Sequence, residues 1–89
     1  MNEVEQIDVK VRSLIAEHLA LEHHHVSDEA EFLRDFGVDW LDCLELIIVM
    51  EEHFGIEIPD DRVDDVRAVG DLIRLIELHS RASRSDLLQ

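Results

Sequence analysis

Residues 32–61 read FLRDFGVDWLDCLELIIVMEEHFGIEIPDD, and both ends of one helix are written into them. Asp39 suits an N-cap, because a short carboxylate there accepts a backbone N–H left unpaired in the first turn. Asp42 follows at the third helical position, where the positive end of the helix dipole favours an acid. Gly55 closes the helix, since glycine enters the left-handed conformation of a C-terminal cap without steric cost. The spacing predicts a helix over 39–54. On a wheel of about 100° per residue, Cys43, Leu46, Ile47, Met50 and Phe54 form one stripe that faces a core. Leu41, Leu44 and Ile48 form a second stripe about 130° away, with Glu45, Glu51 and Glu52 beside it.

A helix packed on one side has no need of that second stripe. Between Arg34 and Arg62 there is no Lys or Arg, while Asp35, Asp39, Asp42, Glu45, Glu51, Glu52, Glu57, Asp60 and Asp61 all fall there. Apolar residues ringed by one sign of charge have the character of a docking surface: the charge steers a basic partner and the apolar ridge holds it. The competing reading is that Leu41, Leu44 and Ile48 touch another part of the same bundle.

The remaining elements follow from periodicity. Asn2 and Glu5 are spaced as a capping box, and Val4, Ile7, Val11, Leu14, Ile15 and Leu19 recur at helical spacing up to about Ala20. Residues 21–38 form a long connection, with Val26, Phe32, Leu33 and Phe36 as inward anchors. Pro59-Asp60 opens a short helix over 60–66. A last helix covers 69–79, with Leu72, Ile73, Leu75 and Ile76 as its apolar face and a weakly capped start, because Ala68 offers no side-chain oxygen. No segment alternates over five or more residues, so the fold class is all-α. One domain is expected over 1–80, with 81–89 as a disordered tail.

The bulk numbers set limits. A chain of 89 residues buries roughly 60–65% of its unfolded surface, so its stability is modest. Its formal net charge of −14 argues against nucleic acid and anionic membrane, whose phosphates repel it. The longest apolar run, Leu46 to Met50, is far too short to span a bilayer. A single cysteine, Cys43, excludes an internal disulfide and fits a reducing cytosol.

With these elements in place, the sequence resembles an acyl carrier protein from about Val4 to Leu78. The Asp-x-Leu-Asp of residues 39–42, the Glu-Glu pair at 51–52 and the Ile-Pro-Asp of 58–60 stand at family spacing. The resemblance implies a four-helix bundle with a long first loop and a short third helix. In the family, a serine after the first aspartate joins 4′-phosphopantetheine through a phosphodiester, and the thiol of that arm carries acyl groups in fatty acid, polyketide or lipid assembly. Here that position is Trp40. An indole has no hydroxyl, so the cofactor is expected only if position 40 were serine. Ser13, Ser27, Ser80, Ser83 and Ser85 lie elsewhere, and the wheel turns Cys43 toward the core. Natural loss and an engineered change both remain open.

The resemblance further implies a cavity that shelters acyl chains, lined at the matching positions by Phe32, Leu46, Ile47, Met50, Ile58, Val63, Val66, Leu72 and Ile76. It implies basic-surfaced synthases, transferases or acyl-processing enzymes as partners, met through Asp39, Leu41, Asp42, Leu44, Glu45, Ile48, Glu51 and Glu52, and a cytoplasmic monomer. Trp40 covers the cavity mouth, anchors a partner, or has no role. The alternative function is a non-carrier adaptor or regulator that mimics a carrier to occupy a synthase partner. No enzyme is expected, because no Ser-His-Asp or paired-carboxylate arrangement can be placed in a cleft. No metal is expected either. His23-His24-His25 are adjacent and point apart, and the acids at 60, 61, 64 and 65 lack the glycine and spacing of a calcium loop.

Overall fold

In the computed structural model, the backbone is described for residues 3–88 and the side chains for residues 7–80. Asn2, and with it the expected capping box, lies outside them. The described residues form five α-helices and one 3-10 turn: α1 Glu3–Leu19, the turn His23–His25, α2 Phe32–Phe36, α3 Trp40–Phe54, α4 Asp60–Val63 and α5 Val69–Leu88. They include no strand, and a lone antiparallel bridge pairs Glu31 with Ala68. The all-α expectation is met.

The core is aliphatic and runs through every helix. Val11 and Ile15 of α1, Leu46, Ile47 and Met50 of α3, Val63 of α4, and Leu72, Ile73 and Ile76 of α5 are buried, with Phe32 of α2 as the buried aromatic. These are the one-face positions that helical periodicity selects. The central helix α1 packs against both α5 and α3. It ends on Ala20 at φ 56°, where Leu21 N–H reaches back to the Ala16 carbonyl at 2.8 Å. That six-residue closure is a Schellman-type end, usually made by glycine. Here an alanine is held in the left-handed region.

Sequence and structure differ at five places, each for a local reason. The first loop contains the extra helix α2, so the described chain has five α-helices where four were expected. Phe32 and Phe36 stand four apart on its inner face, their rings 6.0 Å between centroids. Leu33 is thereby turned outward and is 72% exposed, contrary to the anchor role read for it. α4 stops at Val63 rather than 66, because Asp65 and Val66 donate to Arg62 and Val63 in tighter three-residue turns.

The start of α5 is not weakly capped. The Asp71 carboxylate accepts the N–H groups of Ala68 at 3.0 Å and Arg67 at 3.2 Å, the reach-back half of a capping box. α5 then continues to Leu88, past the expected end near His79, since nothing after Gly70 in residues 71–88 is a glycine or proline.

The long loop is tied down at three points. Phe32 N–H donates to the Arg67 carbonyl and Val69 N–H to that of Ala30, both at 2.9 Å. Gly70 N–H donates to the Asp28 carbonyl at 3.0 Å. A Cβ at position 70 would sit 3.2 Å from that oxygen, a tight contact that a side chain could make only if the loop gave by a few tenths of an ångström. Arg12 clamps the loop to α1: its guanidinium donates to Asp8 at 2.7 Å, to the Val26 carbonyl at 2.8 Å and to Asp28. The two carboxylates, Asp8 first and then Asp28, raise the Arg12 pKa.

Candidate functional site

The site is the exposed side of α3. Asp39 is the N-cap, and its carboxylate accepts the Asp42 N–H at 2.9 Å. Trp40 is thereby the first helical residue, in the turn where the helix presents unpaired N–H groups. Gly55 closes the other end at φ 66°, its N–H on the Glu51 carbonyl. Both caps are the ones the sequence specifies, so the register of every α3 side chain follows from them.

Of the second stripe, Leu41 is 65% exposed and Ile48 is 53% exposed. Leu44 is half-buried and leans on the core. The bundle therefore does not seal the ridge. Asp39, Asp42, Glu45 and Glu52 are exposed around it. Glu51 is different: it is half-buried, and its carboxylate accepts the Ile58 N–H at 2.8 Å. It fastens the link between α3 and α4 as well as adding charge to this face. The sequence gives no hint of that bond, because donor and acceptor are seven residues apart and meet across a turn.

Trp40 stands at the head of this face with 60% of its surface exposed. An indole supplies no oxygen for a phosphodiester. The nearest thiol along the helix is that of Cys43, half-buried against the core. Burial, and after it the carboxylates of Asp42 and Asp39, push its pKa up. That suppresses the thiolate, the form in which cysteine reacts. Trp40 itself thus offers no side-chain oxygen through which an arm could be attached.

The nine positions matched to an acyl-sheltering cavity converge. Phe32, Leu46, Ile47, Met50, Ile58, Val63, Leu72 and Ile76 are all buried in one cluster, and Val66 is half-buried against it. His23, His24 and His25 are exposed. Among the described residues no three or more His, Cys, Asp or Glu are grouped to hold a metal ion. No described helix is long and apolar enough to cross a membrane.

A small helical bundle with an acid-rimmed ridge on α3 defines a class, and comparison with known proteins gives it a family. The family described as "Phosphopantetheine attachment site" matches residues 9–76. The acyl carrier protein of Sinorhizobium fredii strain NGR234 is 43% identical over 68 residues, covering 76% of this chain and 87% of that protein. The acyl carrier protein of Bradyrhizobium strain ORS 278 is 39% identical over 77 residues, covering 86% and 98%. The crystal structure of an acyl carrier protein from Thermotoga maritima superimposes with a TM-score of 0.75 at 23% identity, covering 92% of this chain and 95% of that one. The chain belongs to the acyl carrier proteins, within the phosphopantetheine-attachment family. Its family is one of carriers rather than catalysts.

Proposed function

We propose that this chain is a docking module of acyl carrier type that meets basic-surfaced enzymes of fatty acid, polyketide or lipid assembly in the cytoplasm and carries no arm. The observation that supports it is the exposure of Leu41 and Ile48 among Asp39, Asp42, Glu45 and Glu52, on a stretch without a single Lys or Arg. Apolar side chains left in water beside one sign of charge gain free energy when a partner of opposite charge covers them. Trp40 occupies the position that the resemblance aligns with the attachment serine, and it has no group to esterify. The buried cluster around Met50 then serves as a packed core rather than a cargo hold.

A second reading is favoured by the exposed Trp40. In it the chain is an adaptor or regulator that occupies an enzyme without delivering cargo. Both readings place the same face against the partner.

The test is binding to a phosphopantetheinyl transferase, the class of enzyme that would attach the arm, followed by calorimetry. The parent chain binds, and binding weakens as salt rises, because the steering charges lie at the surface. Glu45→Lys and Ile48→Asp each weaken it. Equal affinity for the parent and both variants contradicts the proposal.

A further inference from the structure

The docking reading gives no role to His23, His24 and His25. They form the 3-10 turn after α1, fixed by His25 N–H on the Glu22 carbonyl and Val26 N–H on the His23 carbonyl, both at 3.0 Å. Val26 is buried and its carbonyl accepts from Arg12, so the turn is set before any ligand arrives. Contrary to the expectation for adjacent histidines, the rings of His24 and His25 converge to 4.1 Å between centroids. With Ser27 and with Arg34 of α2 they line one hollow of about 570 Å³. Small-molecule sites span about 300–1,000 Å³.

Leu21, Ala30 and Phe36 give the hollow an apolar wall. The imidazoles, the Ser27 hydroxyl and the Arg34 guanidinium give it donors. Two acids, Glu29 and Asp35, line it as well. Asp35 is already engaged: its carboxylate accepts the Glu31 N–H at 2.7 Å and pairs with Arg34 at 3.5 Å. Arg34 pairs with Glu31 too, at 3.3 Å, which leaves the imidazoles and the hydroxyl as the main donors to a ligand. Glu29 repels a second negative charge, so a monoanion suits the hollow better than a dianion. We propose that the hollow binds an organic monocarboxylate with a compact apolar body, the carboxylate on His24, His25 and Ser27 and the body against Leu21, Ala30 and Phe36. This site lies apart from α3 and does not depend on the docking reading.

The ionisable groups about the two rings are Glu22 and His23 in the turn, Glu29 in the loop, Arg34 and Asp35 on α2, and Glu17 and His18 at the end of α1, which packs on the turn. In mild acid an imidazole gains a proton, and with it a positive charge and a second N–H donor. The same protons lessen the formal charge of −14 that opposes any anion. Affinity therefore rises as pH falls. The probe is 4-(trifluoromethyl)benzoate, followed by its fluorine resonance and by amide chemical shifts of the chain. Its carboxyl stays ionised between pH 6 and pH 8. Binding at pH 6 is expected to be at least about fivefold tighter than at pH 8, since a hydrogen bond to a charged group outweighs a neutral one. The amides of Leu21, Ser27 and Phe36 are expected to shift. The double variant His24→Ala/His25→Ala is expected to lose at least about fivefold at pH 6, with unchanged helical circular dichroism because the turn buries no side chain. His53→Ala, at an exposed residue in the last turn of α3, is expected to bind as the parent does.

The absence of a saturable shift at pH 6 overturns the inference. So does equal affinity at pH 6 and pH 8, or a double variant that binds as the parent does. The neutral amide of the same probe and the matching benzylamine test the charge. An amide that binds as well as the carboxylate shows that the donors hold no anion, and a benzylamine that binds better shows that Glu29 and Asp35 govern the hollow; either result overturns the assignment. Amide shifts confined to Leu41 and Ile48 place the probe on the ridge of α3 and overturn it as well.

Discussion

The Glu51 carboxylate accepts the Ile58 N–H at 2.8 Å, so one of the acids on the docking face also holds the α3–α4 link in place. Its neighbour Glu52 is exposed. The adjacent pair thus divides into a fastener and a free charge.

Stability should separate the two. Glu51→Ala leaves a part-buried N–H without its partner, a loss of about 1–2 kcal/mol. In a domain of this size each kcal/mol lowers Tm by roughly 4–8 °C. Glu52→Ala is expected to leave Tm within experimental error while weakening partner binding. Thermal melts of the two variants check this, and equal Tm values contradict the assignment.

Ala20 offers the opposite sign. Its φ of 56° is left-handed backbone, which costs a residue with a Cβ roughly 1–2 kcal/mol. Glycine relieves that strain but adds freedom to the unfolded chain, offsetting about 0.5–1 kcal/mol. Ala20→Gly is therefore expected to raise stability by up to about 1 kcal/mol in a denaturant titration. A lower midpoint would show that the helix end adopts another conformation.

Arg12 joins three acceptors on α1 and the first loop. Arg12→Ala removes a part-buried fork and leaves the Val26 carbonyl unpaired, an expected loss of about 1–3 kcal/mol. Arg12→Lys should recover only part of it, because an ammonium lacks the planar fork. Hydrogen exchange at the Gly70 and Val69 amides, which close the loop, should accelerate in both variants.

Cys43 titrates above the ordinary thiol, with burial as the main cause and the Asp42 and Asp39 carboxylates adding to it. The folded state therefore holds the thiol proton more tightly than the unfolded state. That contribution to stability is complete below the ordinary thiol value of 9.0 and is lost as pH rises through the higher folded value. Alkylation by iodoacetamide at pH 8 should be slower in the native chain than in the same chain in denaturant. Equal rates would show the thiol to be open.

Much of this structure was legible in the sequence because it is specified locally. Asp39 and Gly55 define α3 by capping rules that need no tertiary information, and the wheel positions of Leu41 and Ile48 follow from them. What escaped depends on pairings between distant segments or on competition within a short one. Asp71 caps α5 by reaching back to Ala68, although the cap position itself holds no polar group. Leu33 looked like an anchor because it is apolar, yet Phe32 and Phe36 take the inner face of α2 and leave it outside. Glu51 looked like free charge, because its partner Ile58 lies beyond Gly55.

The account turns on whether position 40 forbids a covalent cargo while the rest of the carrier face remains. The direct measurement is intact mass after incubation with coenzyme A and a phosphopantetheinyl transferase. The parent chain is expected to keep its mass, and Trp40→Ser to gain one phosphopantetheine, its phosphate joining the helix start where the dipole favours an anion. A phosphopantetheine adduct on the parent chain, at any residue, would contradict the account.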